Sequence, residues 1–310
     1  MRQSSPLPAT AVLFFSLILT GCLFRSHNVQ ANVSNAPLQT ATQPQLVDRL
    51  NSEADAIHTM NASVEIATSV GGAKKGRVTE YSAINGFILA EKPAMLRMIG
   101  LMPIVRNRAF DMVSNGQTFE LWIPPKNRFI VGSNEVTKPS ANTLENLRPQ
   151  IILDALLFQP VQTDEIAVVE ARMQTVVDEQ SKKRLEQPNY VLDIIRQDAS
   201  SGGWYLSRKI YFDRSDLLPY RQLLFNKQGT IATDAHYGNF KDFGGIHFPT
   251  HIVIQRPEEE YTVGIKVLKM TLNQPLKPEQ FVLEQPEGAQ VVRLDGSTAA
   301  ASSPSTGNVQ

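Results

Sequence analysis

Cysteine is almost absent: the 310 residues contain one, Cys22. No intrachain disulfide can form, so the core must hold by packing alone. Net charge is absent too, with 30 basic and 30 acidic side chains. A balanced chain has no general pull toward nucleic acid or an anionic membrane, so nucleic acid is not an expected partner and any membrane contact must be local. No apolar run reaches the roughly 20 residues that a membrane-crossing helix needs. Histidine is scarce, five in all. Zinc-ligand spacing, a nucleotide-binding glycine fingerprint and a hydrolase elbow are all missing. No metal, no cofactor and no catalytic activity are expected.

What is present begins at the N-terminus. Arg2 is followed by Ala11 to Leu19, apolar but for Ser16. The run is too short to span a bilayer and fits the core of a signal peptide over residues 1–21. Leu19-Thr20-Gly21-Cys22 then resembles the lipobox of bacterial lipoproteins. There the cysteine thiol takes a diacylglyceryl group and becomes the new N-terminus. The resemblance implies acylation, palmitate included, at Cys22. Two or three chains at about 0.8 kcal/mol per buried CH₂ hold a protein stably on a membrane. Leu23, rather than Asp, follows the cysteine. For a lipoprotein this implies the outer membrane, facing the periplasm.

Residues 22–43 are small, polar and aperiodic and read as a lipidated flexible tether with a reach of about 25 Å. Pro44 opens a helical pattern carried by Leu46, Leu50, Ala54, Ile57 and Met60, an amphipathic helix of four to five turns. From Ala62 the period becomes two, with a hairpin turn at Gly71–Gly76. Strand-like runs follow to residue 132. Pro149, Ile151, Ile152, Ala155 and Leu156 predict a short apolar helix. Strand patterns resume from 165 to 272. The clearest has Tyr261, Val263, Ile265 and Val267 alternating with Thr262, Gly264 and Lys266. Residues 288–310 read as a disordered tail. The fold class is α+β, mainly β: a curved antiparallel half-barrel of about eleven strands over residues 44–287, covered by the N-terminal helix and the mid-chain helical insertion.

Two segments carry a family likeness. Tyr211-Phe-Asp-Arg-Ser-Asp-Leu-Leu-Pro-Tyr-Arg221 is followed by Gln228-Gly229, Tyr237, Phe240, Phe248-Pro249 and the exit Leu272-Asn273-Gln-Pro-Leu276 with Phe281. Gly100-Leu101-Met102-Pro103-Ile104-Val105 joins two strands. The ordered set resembles the LolA/LolB-like lipoprotein-localisation superfamily. The resemblance implies an envelope protein that binds lipid or lipoprotein acyl chains in an apolar cavity. It also implies that Leu101, Met102 and Ile104 form a loop touching membrane or acyl chain. The residue-level alternative is a loop folded under the helices. Phe87, Leu89, Leu96, Met98, Phe110 and Met112 are the cavity candidates, each equally readable as plain core. Met98, Met112 and Met173 suit a deformable pocket. An alternative for the whole protein is a non-catalytic adaptor in an envelope complex, with a protein partner and a packed interior.

Other polar groups have ordinary readings. His247 and His251 are expected on a strand surface, and Asp234 and His236 share a face with no nucleophile near them. Arg97, Arg106 and Arg108 either meet phosphate head groups or lie on solvated strand faces. Trp122 and Trp204 are expected to pack.

Overall fold

The computed structural model describes residues 37–134, 148–177, 182 and 184–294. Cys22, the signal-peptide segment and residues 295–310 lie outside them. The described residues divide into two compact units, one drawn from residues 173–187 and one from residues 37–172 and 188–294. In the smaller, Thr175 Oγ1 donates to Glu186 Oε1 at 2.7 Å.

The described residues form two α-helices, α1 (Gln43–Asp55) and α2 (Pro149–Leu156), and fourteen strands. The first six strands are β1 (Thr59–Gly72), β2 (Arg77–Glu91), β3 (Met95–Leu101), β4 (Arg108–Ser114), β5 (Thr118–Ile123) and β6 (Arg128–Ser133). After α2 come β7 (Glu165–Val177), β8 (Arg184–Gln197), β9 (Trp204–Asp213), β10 (Pro219–Phe225), β11 (Ile231–Asp242), β12 (His247–Arg256) and β13 (Tyr261–Leu272). The last is β14 (Gln290–Arg293).

The strands make one sheet in the order β14-β6-β5-β4-β3-β2-β1-β13-β12-β11-β10-β9-β8-β7. Two meanders, β1–β6 and β7–β13, meet where β1 pairs antiparallel with β13. The edges, β14 and β7, do not join, so this is an open half-barrel and not a closed barrel. Fourteen strands replace the expected eleven or so. One reason lies in the segment read as tail: Gln290–Arg293 add to β6 as a parallel strand. The stretch is too short and too exposed to carry a strand period of its own.

α1 starts as its sequence dictates. Pro44 stands in the first turn, and the Thr42 amide donates to Gln45 Oε1 at 2.8 Å. Leu46 and Leu50 are wholly buried against Tyr190, Leu192, Ile194, Ile210 and Phe212. Full burial of one such leucine is worth about 1.5–3 kcal/mol. α2 is apolar nearly all round, and Ile152, Leu153, Ala155 and Leu156 enter the main core with residues of β1–β6 and β11–β13. A third cluster lies on the other face of the sheet. There the chain after β13 lays Phe281 and Leu283 over Val113 and Phe129, with Leu89 and Trp122 at the margin. Both faces of β2–β6 are therefore covered in part.

Candidate functional site

The loop between β3 and β4 is the most exposed apolar feature of the larger unit. Ile104 is 99% exposed. Met102 and Val105 are exposed beside it. The loop is tied to itself: the Met102 amide donates to the Asn107 carbonyl at 2.7 Å and the Arg106 amide to the Met102 carbonyl at 3.1 Å. Ile104 has φ +69° and Arg106 φ +54°. A β-branched residue in the left-handed region is strained. The loop is thus held with Ile104 turned to solvent against its backbone preference, and it is not folded under the helices.

Beside the loop lies a groove of about 550 Å³, within the usual range for small-molecule sites. Leu101, Met102 and Ile104 form one wall, and Phe87, Leu268 and Arg106 line the rest with neighbouring residues of β1 and β2. The groove is on the sheet face opposite α2. Leu268 is at the irregular point of β13, where the register with β1 shifts at Ser63/Val64. Leu268 has no partner on β1 and is 54% exposed, and past it the next buried residue is Met270 rather than Lys269.

The cavity candidates divide between the two faces. Leu96, Met98 and Met112 are buried in the main core and Phe110 packs against it. They fill space rather than enclose it, and none lines the groove. Phe87 and Leu89 are corrections. Along β2 the buried residues are Gly86, Ile88 and Ala90. Phe87 is 44% exposed on the opposite face, and Leu89 joins the cluster under Phe281. A one-residue difference in phase moves a side chain to the other face of a sheet. Here both phases are apolar because the C-terminal segment covers the outer face. Met173, read as suiting a deformable pocket, and Trp204, expected to pack, are both exposed, at 56% and 52%.

The three arginines near the loop separate. Arg97 forks onto the fully buried Asp111, with Nε–Oδ1 at 3.0 Å and Nη2–Oδ2 at 2.8 Å. Its Nη1 donates to the Gln280 carbonyl at 2.8 Å, which pins the C-terminal segment. Arg108 also reaches Asp111, at 3.0 Å. Arg106 alone of the three faces the groove. Asp234 receives Arg221 Nη2 at 2.6 Å and His236 Nε2 at 3.0 Å. Burial alone would raise its carboxyl, but these bonds and charges hold it at about 2. His247 and His251 are exposed on β12. Among the described residues, no three histidine, cysteine or acidic side chains converge to hold a metal, and no helix is long and apolar enough to cross a membrane.

The chain is similar in overall fold to several solved structures. A DUF1329 family protein from Desulfovibrio piger matches with a TM-score of 0.50 at 12% identity, covering 76% of this chain and 94% of its own. A LolA superfamily protein from Nitrosomonas europaea matches with a TM-score of 0.47 at 14% identity, covering 79% and 99%. A domain described as outer membrane lipoprotein-sorting, from Vibrio parahaemolyticus, matches at 0.46 and 12% identity, covering 76% and 94%. At these identities the likeness is one of fold alone, an open antiparallel sheet shared with the DUF1329 family protein. No family model and no curated protein sequence matches the chain. Within this fold, Leu268 is the groove residue that sequence reasoning passes over. Its signal is the adjacent pair Val267-Leu268, which breaks the alternation of β13.

Proposed function

We propose that this protein is an envelope lipoprotein that binds lipid or lipoprotein acyl chains, anchored through acylated Cys22 in the outer membrane and facing the periplasm. The observation that carries the reading is Ile104: an aliphatic side chain 99% exposed on a strained, internally bonded loop. Such a residue costs free energy in water and regains it in a bilayer or against an acyl chain. The apolar groove behind it, with Arg106 at its rim, adds a place for a chain and a cation for a phosphate. The lipid contact in this reading is the outer-face groove with Phe87 and Leu268, and not the interior around Met98 and Met112.

Binding to phosphatidylglycerol-containing vesicles, followed by co-sedimentation, tests it. The Ile104→Glu and Met102→Glu chains are expected to lose at least about tenfold in partitioning, since each replaces a buried apolar contact with a charge. Unchanged partitioning of both variants removes the loop from the mechanism.

A second reading, the non-catalytic adaptor, is supported by the main core itself, which α2 fills with Ile152, Leu153 and Leu156. Native mass spectrometry separates the two. Co-purified lipid favours the carrier; a lipid-free chain with a stably bound envelope protein favours the adaptor.

A further inference from the structure

The helix-covered face of the sheet is apolar around α2 but polar at one end. There a groove of about 680 Å³ opens between the segment after α2 and strands β8–β10. Most of its charges are spent on each other. Arg208 donates to the Gln159 carbonyl at 2.6 Å, the Pro160 carbonyl at 2.8 Å and Glu165 Oε2 at 2.9 Å. Glu165 Oε1 and Asp164 Oδ2 stand 3.3 and 3.7 Å from Arg196 Nε.

Asp154 is different. It lies on the last turn of α2 and lines the groove. Its Oδ1 accepts from Gln150 Nε2 at 2.8 Å. Its Oδ2 accepts from no described residue, and no described cation is within ion-pair distance. Gln222, buried beside it, spends its Nε2 on the Asp154 main-chain carbonyl at 3.2 Å and leaves its Oε1 open. A deeply placed carboxylate without a cation is costly and calls for a partner. Three carboxylates face two guanidiniums in this groove, so one negative charge is left over, and it is at Asp154. A metal ion does not answer it, because no three ligating side chains converge among the described residues.

We propose that this groove binds a primary ammonium group carried on a small polar molecule or head group, with Asp154 as its counter-ion. An ammonium offers three donors. Asp154 Oδ2 takes one, the Gln222 carboxamide oxygen beside it is a second acceptor, and the Tyr205 hydroxyl lines the groove opposite. The volume suits a small molecule larger than the amine alone. The site is independent of the apolar groove beside Ile104, which is on the other face of the sheet.

Binding should follow pH. The charged and titratable groups facing Asp154 are Arg208 on β9, Tyr237 on β11 and, across the groove, Glu165, Asp164, Arg196 and Tyr205. Burial raises the Asp154 carboxyl to about 6. Only its ionised form attracts an ammonium, so affinity is present above that value and lost as pH falls through it.

The test is calorimetry and saturation-transfer NMR on the full chain bearing Cys22→Ser, with ethanolamine and glycerophosphoethanolamine as probes. Glycerophosphoethanolamine is expected to bind near pH 7.5 and to weaken about tenfold near pH 5, one unit below the midpoint. Asp154→Asn, nearly isosteric, is expected to abolish the pH dependence and lose about tenfold at the higher pH. Tighter binding of glycerophosphoethanolamine than of ethanolamine identifies a head group as the source, and equal binding identifies a free amine. Glycerophosphocholine, which has no N–H to donate, is expected not to compete. Failure of both amines to bind, equal binding by a folded Asp154→Asn chain, or equal binding of glycerophosphocholine overturns the proposal.

Discussion

At the scale of single residues, the groups that point to function are those that conflict with local stability. Ile104 occupies a backbone conformation that costs an L-residue about 1–2 kcal/mol. Ile104→Gly should therefore raise the unfolding free energy by about 1 kcal/mol, seen as a higher urea midpoint, while weakening vesicle binding. A variant that loses both would mark Ile104 as a packing residue instead. Asp154 makes the same trade. Its folded-state carboxyl at about 6, against 3.8 in the unfolded chain, means that the wild type loses stability as pH rises across that interval. The loss approaches roughly 3 kcal/mol above it. Relative to wild type, Asp154→Asn is expected to be equally stable below about pH 4 and more stable at neutral pH, by chemical denaturation at both. Asp111 is the opposite case, buried with Arg97 and Arg108 upon it. Asp111→Ala strands Arg97 and should cost about 3–5 kcal/mol. Asp154 had a visible signal, a lone acid inside Ile151-Ile-Leu-Asp-Ala-Leu156. Its meaning was not visible, because whether a helix face meets a wall or a groove depends on separate strands as far along the chain as Gln222 and Phe225.

At the scale of elements, most of the fold was legible. Alternation along Tyr261–Val267 marks β13, and the 3.6 period after Pro44 marks α1. The Gly71–Gly76 turn falls between β1 and β2 as its residues demand. Legibility ended where a strand has two covered faces. In β2, Phe87 and Leu89 are as apolar as Ile88 and Ala90, so period two cannot say which pair faces the core. The tiebreak is the C-terminal segment with Phe281 and Leu283, which sequence proximity does not reveal. β14 was invisible for the related reason that a four-residue strand has no period to read. α2 is the element on which the interior depends. Leu153→Ala, at a fully buried position, should cost about 2–5 kcal/mol by urea denaturation, with the range set by how far the sheet collapses onto the gap.

At the scale of the whole molecule, the sheet is sewn along one seam. β1 and β13 sit side by side at the centre, with Val64 opposite Val267 and Ile66 opposite Ile265, yet they are about two hundred residues apart in the chain. Each meander can form from neighbours in sequence, but the seam closes only when residue 272 is available. Long-range pairing of this kind is slow, because chain entropy is lost before the contacts repay it. For a chain threaded across a membrane from its N-terminus, β1 waits as an open edge through nearly the whole of translocation. It carries Val64 and Ile66 unpaired on that side. If the chain is exported as proposed, the interval of greatest aggregation risk is therefore set by export speed rather than by stability.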